Sequence, residues 1–366
     1  MNQEKKDKKI NRLISLFTNG AIDECKRETL KVLEVYPNEP FLFNLLGVTH
    51  AETNSFEEAI GYYKKATALN PEYFEVYNNM GVAYTHWKKP ELAVESLKQA
   101  IEFNPNYAEA FNNLGNSQKE LSDFEDAIKS YEKALKIDPT YIDALCNLGI
   151  VLGVLERFSE AEEKYKKALD LDPSRKQTLY LYGSALTKVK KLKEAKEKFH
   201  SILKMDPNFA EAHNGIGLAN IELKNFDEAL VNFRNAIKIK SDYLDAINNY
   251  GYTLQEKKQY DESIKAFEQA LRLDNTCLRT YNNLAKAHLD NGTVTTAKQI
   301  FYDGLKIDGE YLPILKNLVE VCILLRQFTE AENIIGSMLE KDPQSAESYN
   351  ALGSIYEKKG DLEKSK

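Results

Sequence analysis

No stretch of this chain approaches the roughly 18 consecutive apolar residues of a membrane helix, and its N-terminus has no apolar segment of the signal type. Cysteine is scarce. Cys25, Cys146, Cys277 and Cys322 stand far apart, in neither a CxxC pair nor a secreted disulfide pattern. These absences point to a reducing, cytoplasmic setting. A large excess of one charge is missing too. The 49 basic and 56 acidic residues leave a net charge of −7. Nucleic acid is a poor fit, since phosphate binding needs net or clustered positive charge. Lys5-Lys6-Asp7-Lys8-Lys9 is basic but short, and reads as part of a solvated tail. The five histidines fall in no metal-ligand spacing. Gly215-Ile216-Gly217 lacks the third glycine of a phosphate loop. No enzyme motif emerges, so no catalytic residue, metal or cofactor is expected.

What is present is a period. Gly47, Gly81, Gly115, Gly149, Gly183, Gly217, Gly251, Ala285, Val319 and Gly353 recur every 34 residues without an insertion. Ala59 through Ser365 form a second series on the same step, and Pro37 through Pro343 a third. Three registers of one period mean a stacked-repeat solenoid, which overrides the two or three globular domains that 366 residues would suggest. A single elongated domain is expected.

Within the unit Ala108–Tyr141, Ala110, Phe111, Leu114 and Gln118 share one helical face. Leu121-Ser122-Asp123-Phe124 makes a polar break, and Asp123 is placed to cap a second helix. That helix carries Phe124, Ala127, Ile128, Tyr131, Ala134 and Leu135 at helical spacing. Ala127 and Ala134 are read as the small partners of Gly115, letting the helices approach. Asp138-Pro139 ends the unit, because proline disfavours helix at the preceding residue. Each unit is therefore a helical hairpin. The series Tyr63, Leu97, Tyr131, Tyr165, Phe199, Phe233, Phe267, Phe301 is core, and His50 and His288 fall on a packing face. Glu57-Glu58 and Glu162-Glu163 are expected to open second helices, where the helix dipole favours acids.

These residues resemble the tetratricopeptide repeat, which has the same period and a similar aromatic, Leu-Gly, Ala, Phe, Pro signature. The resemblance implies an all-α fold: an α-solenoid, a right-handed superhelix of antiparallel helix hairpins whose first helices line the concave side. The organisation is then a polar tail at 1–5, a degenerate unit at 6–39, nine units at 40–345 and a truncated tenth at 346–366. Asp361–Lys366 match the start of a second helix, so a longer protein is expected to follow.

The groove carries the functional signal. The residue two before each small position reads Asn79, Asn113, Asn147, Leu181, Gly215, Asn249, Asn283, Asn317. Asparagine costs roughly 0.5 kcal/mol against alanine in a helix, so helix preference alone does not choose it. A row of amides can grip the main chain of an extended peptide, since each offers donors and an acceptor. The row is similar to the asparagine ladder in the superhelix of O-linked N-acetylglucosamine transferases, although Leu181 and Gly215 interrupt it. A frequent Asn-Asn-Leu-Gly string on a wet surface would look the same. Around it lie Glu75, Glu109, Asp143, Glu211 and Asp245, then Glu120, Glu222, Glu256, Asp290 and Glu320, against Lys188, Arg279 and Lys286. This mild acidic bias weakly favours polar or basic ligands. Asn112, Asn116 and Asn147 suit a clamp for acidic heat-shock chaperone tails, but Gln177 and Leu181 stand where basic residues are needed, which argues against it. The expected function is a protein- or peptide-binding scaffold without chemistry of its own. The alternative is the recognition arm of a glycosyltransferase or sulfotransferase whose catalytic domain lies beyond Lys366.

Overall fold

The structure, a computed structural model, describes residues 3–360, and every regular element among them is an α-helix. The chain divides into two compact units, Met1–Ala185 and Leu186–Lys366. The first holds α1 (Gln3–Thr18), α2 (Ile22–Val35), α3 (Pro40–Glu52), α4 (Phe56–Leu69), α5 (Phe74–His86), α6 (Pro90–Phe103), α7 (Ala108–Glu120), α8 (Phe124–Ile137), α9 (Ile142–Val154) and α10 (Phe158–Leu171). The division falls near the end of α11 (Lys176–Lys188). The second unit continues with α12 (Leu192–Met205), α13 (Ala210–Glu222), α14 (Phe226–Ile239), α15 (Leu244–Glu256) and α16 (Tyr260–Leu273). Then come α17 (Leu278–Asp290), α18 (Val294–Leu305), α19 (Leu312–Leu324), α20 (Phe328–Lys341) and α21 (Ala346–Lys359). In each unit successive helices pair as hairpins and each hairpin packs on the next, the arrangement of an α-solenoid. The chain stretch Asp361–Lys366, read above as the start of a further second helix, lies outside the described residues. No helix among the described residues is long and apolar enough to cross a membrane.

Each hairpin seam is filled by the partner of its small residue. A Cβ placed on Gly115 would lie 2.6 Å from Tyr131 Cε1, and one on Gly149 would lie 2.8 Å from Tyr165 Cζ. The glycines at 47, 81, 217 and 251 meet Tyr63, Leu97, Phe233 and Phe267 in the same way. Glycine is thus required by a ring or branched side chain, not by the alanines Ala127 and Ala134, which are themselves fully buried. Where the small position grows to Val319, the column opposite shrinks to Ile335, and both are buried in one cluster.

The turns are closed by backbone. Asp123 sits at the N-cap of α8 but makes no side-chain cap bond, contrary to expectation, and Ser55, Lys89 and Gln259 serve equally at the same position. The preceding helix ends in the two-bond motif of a left-handed C′ residue. Ser122 has φ +63°, its N–H bonds Lys119 O at 3.0 Å, and Asp123 N–H bonds Gln118 O at 2.9 Å. The same positive φ returns at Asn54, Lys88, Glu156, Lys190, Lys224, Lys258, Gly292 and Arg326. At the other end of the hairpin, Asp138 leaves helical geometry at φ −126° and ψ 96° before Pro139. Its carboxylate accepts Thr140 N–H at 2.9 Å, a side-chain turn repeated at Asn70, Asn104, Asp172, Asp206, Asp274, Asp308 and Asp342.

Two expectations shift at the level of elements. Helix α1 begins at Gln3, so Lys5–Lys9 are helical rather than a tail. Leu13 is buried with Cys25, Val32 and Leu42, and Lys6 pairs with Glu39, which together give the N-terminal residues a reason to order. Glu57 and Glu58 do open α4, whereas Glu162 and Glu163 lie a turn deeper in α10, where the dipole has faded. Glu162 is held there by Lys166 at 2.7 Å and by the Tyr182 hydroxyl at 2.9 Å.

Candidate functional site

The asparagine row lies on the first helices α5, α7, α9, α15, α17 and α19, and each of its members is half-buried. Most of these amides are already engaged. Asn79 Nδ2 donates to Asn44 Oδ1 at 3.0 Å, Asn113 to Asn78 at 2.9 Å and Asn147 to Asn112 at 3.0 Å. In the second unit Asn249 donates to Asn214 at 3.1 Å and Asn317 to Asn282 at 2.7 Å. Every bond spans 35 residues, from the row to the residue just before the row in the preceding hairpin. Three of the acceptors are buried, Asn78 at 1% exposure, Asn112 at 4% and Asn214 at 6%, and Asn44 and Asn282 are half-buried. A buried amide without a partner costs about 1–3 kcal/mol, so the pair explains both members together.

The two columns change together along the chain. Asn44/Asn79, Asn78/Asn113, Asn112/Asn147, Asn214/Asn249, Asn248/Asn283 and Asn282/Asn317 are asparagine at both places. Cys146/Leu181 and Tyr180/Gly215 are asparagine at neither. The gaps in the row are therefore gaps in the pairing. Cys146 lies 3.3 Å from Thr178 Oγ1 and presents no amide, so Leu181 has nothing to reach for. Gly215 makes room for the ring of Phe199, whose Cζ would lie 2.5 Å from a Cβ. A column of tyrosines completes the stations. Asn78 Nδ2 is 3.4 Å from the Tyr107 hydroxyl and 3.1 Å from Glu109 Oε1, and burial with the Glu109 carboxylate pushes the Tyr107 phenol well up.

The remaining candidates are distributed along the same helices. Asn116 accepts the Tyr131 hydroxyl at 2.8 Å. Glu120 is exposed, with Lys88 3.8 Å away, and Lys286 is exposed on α17. Much of the acidic bias is spent within each unit. Asp143 pairs with Arg175, Asp245 with Arg279 and Glu222 with Lys190, while Asp290 accepts Gln255 Nε2 at 2.6 Å. His50 is buried at 8% exposure, with Lys26 Nζ 3.4 Å from Nδ1; burial and that lysine lower its pKa. His288 Nδ1 lies 2.9 Å from Thr293 Oγ1. Three of the four thiols, Cys25, Cys146 and Cys322, are buried and pushed up by burial, Cys322 to about 11.

Comparison with known proteins agrees with this geometry. Models described as tetratricopeptide repeat match residues 74–107, 108–141, 142–175, 183–243, 288–355 and 346–366, and one described as TPR repeat matches 47–85 and 251–292. No curated protein matches. Among solved structures, a tetratricopeptide repeat protein from Parabacteroides merdae is similar over 68% of this chain and 98% of its own, at 19% identity and a TM-score of 0.57. Yeast Tom70 is similar over 100% of this chain and 91% of its own, at 15% identity and a TM-score of 0.54. YrrB, described as a TPR protein with an unusual peptide-binding site, aligns over 50% of this chain and 95% of its own, at 26% identity and a TM-score of 0.41.

Proposed function

Because the chain belongs to the tetratricopeptide repeat family, whose repeats build protein-interaction scaffolds, we propose that it holds an extended polypeptide segment along the first-helix face. The observation that carries this reading is the half-buried amide row. An asparagine side chain has two N–H donors and an oxygen. Pairing with the preceding hairpin uses one N–H, so Asn79, Asn147 and Asn249 each keep a donor at a half-exposed surface. Pairing also fixes the side-chain angles in advance, which lowers the ordering cost of any later contact. Of the acids on the same helices, Glu75, Glu211, Glu256 and Glu320 stand outside the pairs described above, and they favour a polar or basic segment.

The test is photo-crosslinking of captured partners. A crosslinking residue is placed at exposed first-helix positions, Glu120 and Lys286, and separately at exposed second-helix positions, Lys133 and Lys265. Partners joined from the first pair and not the second are expected. Crosslinks from Lys133 and Lys265 alone would place binding on the other face and defeat the reading.

A further inference from the structure

The hydroxyl column contains a contrast that points to a recognition pocket. Tyr131 and Tyr63 occupy the same register and both are buried, at 0% and 1% exposure. Tyr131 donates to Asn116. The position equivalent to Asn116 beside Tyr63 is Val82 on one hairpin and Val48 on the other, neither of which can accept. The Tyr63 hydroxyl has no hydrogen-bond partner in its hairpin, and the ring lines a cleft of about 300 Å³ between α3, α4 and α5. Tyr63 lines an open cleft, where a ligand can supply the hydrogen-bond partner that the hairpin does not.

The cleft has a definite chemistry. Its walls include Val48, Val82 and the Phe56 ring, which stacks parallel to His86 at 6.5 Å. Its polar members are Tyr63, Glu52, Asn79, Asn54 and His86. Asn79 gives one N–H to Asn44, which leaves its oxygen and a second N–H. Among these polar members, Glu52, Tyr63 and Asn79 supply three oxygen acceptors, one of them charged, beside an apolar channel, with no lysine or arginine among the lining residues. The Glu52 carboxylate also acts on the phenol electrostatically, adding to burial in raising its pKa. A lysine has the complementary form: a flexible apolar stem and an ammonium with three donors. Arginine's flat five-donor fork matches three dispersed acceptors less well.

We propose that this cleft takes a lysine side chain of a partner polypeptide, with the ε-ammonium between Glu52, Tyr63 and Asn79 and the stem against Val48 and Val82. The proposal rests on the reading of a polypeptide-binding face and adds to it the residue that the face selects.

The experiment follows side-chain and backbone NMR shifts of the full chain during titration with short capped peptides of alanine around one central residue. The central residue is lysine, norleucine or acetyl-lysine, which share the stem and differ in the charged donor. Saturating shifts at Val48, Val82 and Tyr63 with lysine alone are expected. Glu52→Gln, an exposed and uncharged replacement, should weaken that binding about tenfold, as for loss of a hydrogen bond to a charged group. Tyr63→Phe keeps the ring against Gly47 and should weaken it less. Equal shifts with norleucine or acetyl-lysine, or an unchanged affinity in Glu52→Gln, would overturn the lysine pocket. Shifts confined to Asn113, Asn147 and their neighbours would also overturn it while leaving the polypeptide-binding face intact. Absence of shifts on any first helix, with these peptides and with a captured partner, would remove both.

Discussion

Two amide stations, one in each unit, have the same asparagines and different bonds. At the first, Asn113 donates to Asn78, and Tyr107 stands beside Asn78 on the next hairpin. At the second, Asn248 turns inward to Leu244 O at 3.1 Å and accepts the Thr280 hydroxyl at 3.0 Å, and Asn283 makes no bond to it. The tyrosine column holds Cys277 here, and the alanine column that contains Ala110 holds Thr280. The difference teaches that the pairing belongs to a set of five columns. The stations differ in three neighbours of the buried amide: the phenol is gone, the Glu109 carboxylate is replaced by Arg279, and Thr280 adds a hydroxyl one turn away. The row that reads as one repeated residue is a chain of local agreements between neighbouring hairpins.

The comparison is broken most forcefully at Asn112. Asn112→Cys leaves the Asn147 amide without its acceptor and should cost about 1–3 kcal/mol. Adding Asn147→Leu copies the native Cys146/Leu181 step and should recover at least half of that loss. Denaturant midpoints of the two single variants and the double variant decide this. Additive losses would mean the columns do not act as a pair. Next in size, Asn113→Ala should cost about 1 kcal/mol, while Asn283→Ala, which breaks no bond, should be neutral or gain a few tenths through helix preference. Similar losses at both sites would erase the distinction between the stations.

A smaller effect runs in the opposite direction. Cys277→Tyr combined with Arg279→Glu and Thr280→Ala rebuilds the first station inside the second and should add about 0.5–1.5 kcal/mol. Slower amide exchange around Asn248 and Asn283 would register it, and unchanged exchange would speak against the five-column set.

The smallest effect is a pH dependence at the unit ends. Side-chain and backbone bonds from Thr140, Ser174 and Thr276 hold Asp138, Asp172 and Asp274 below the usual carboxylate range. A depressed folded pKa means that the stabilisation is complete above the unfolded value near 4 and is lost as pH falls through the folded values. Amide exchange at Thr140, Ser174 and Thr276 should therefore rise below about pH 4. The matching turn at Lys240 has no carboxylate and should not respond.

The hairpins were legible because spacing of 34 and of three or four residues maps directly onto helices and seams. Gly115 and Tyr131 are both visible in their columns, yet which of them requires the other is settled only by the ring lying on the glycine. Asp123 was misread because a good capping residue type says nothing about whether the backbone has already closed the turn. The asparagine row was legible as a row, but its purpose hid one column away and one hairpin back. Reading the columns through Asn78 and Asn79 side by side reveals it, since they gain and lose asparagine together. The Tyr63 cleft was beyond reach of pattern, because it depends on a hydroxyl lacking a neighbour in space.

The thiols carry a practical consequence. Cys25, Cys146 and Cys322 are buried and hold their protons firmly, so an alkylating reagent meets them slowly. Cys277 is the partly accessible one, and it occupies the tyrosine column at the redirected station. A fluorophore attached by maleimide chemistry would therefore select a single address without any engineered cysteine. It would sit beside Asn248 and Asn283, where the local packing already departs from its neighbours. The native chain thus supplies its own spectroscopic reporter at a junction of the second unit where the amide bonding departs from the common pattern.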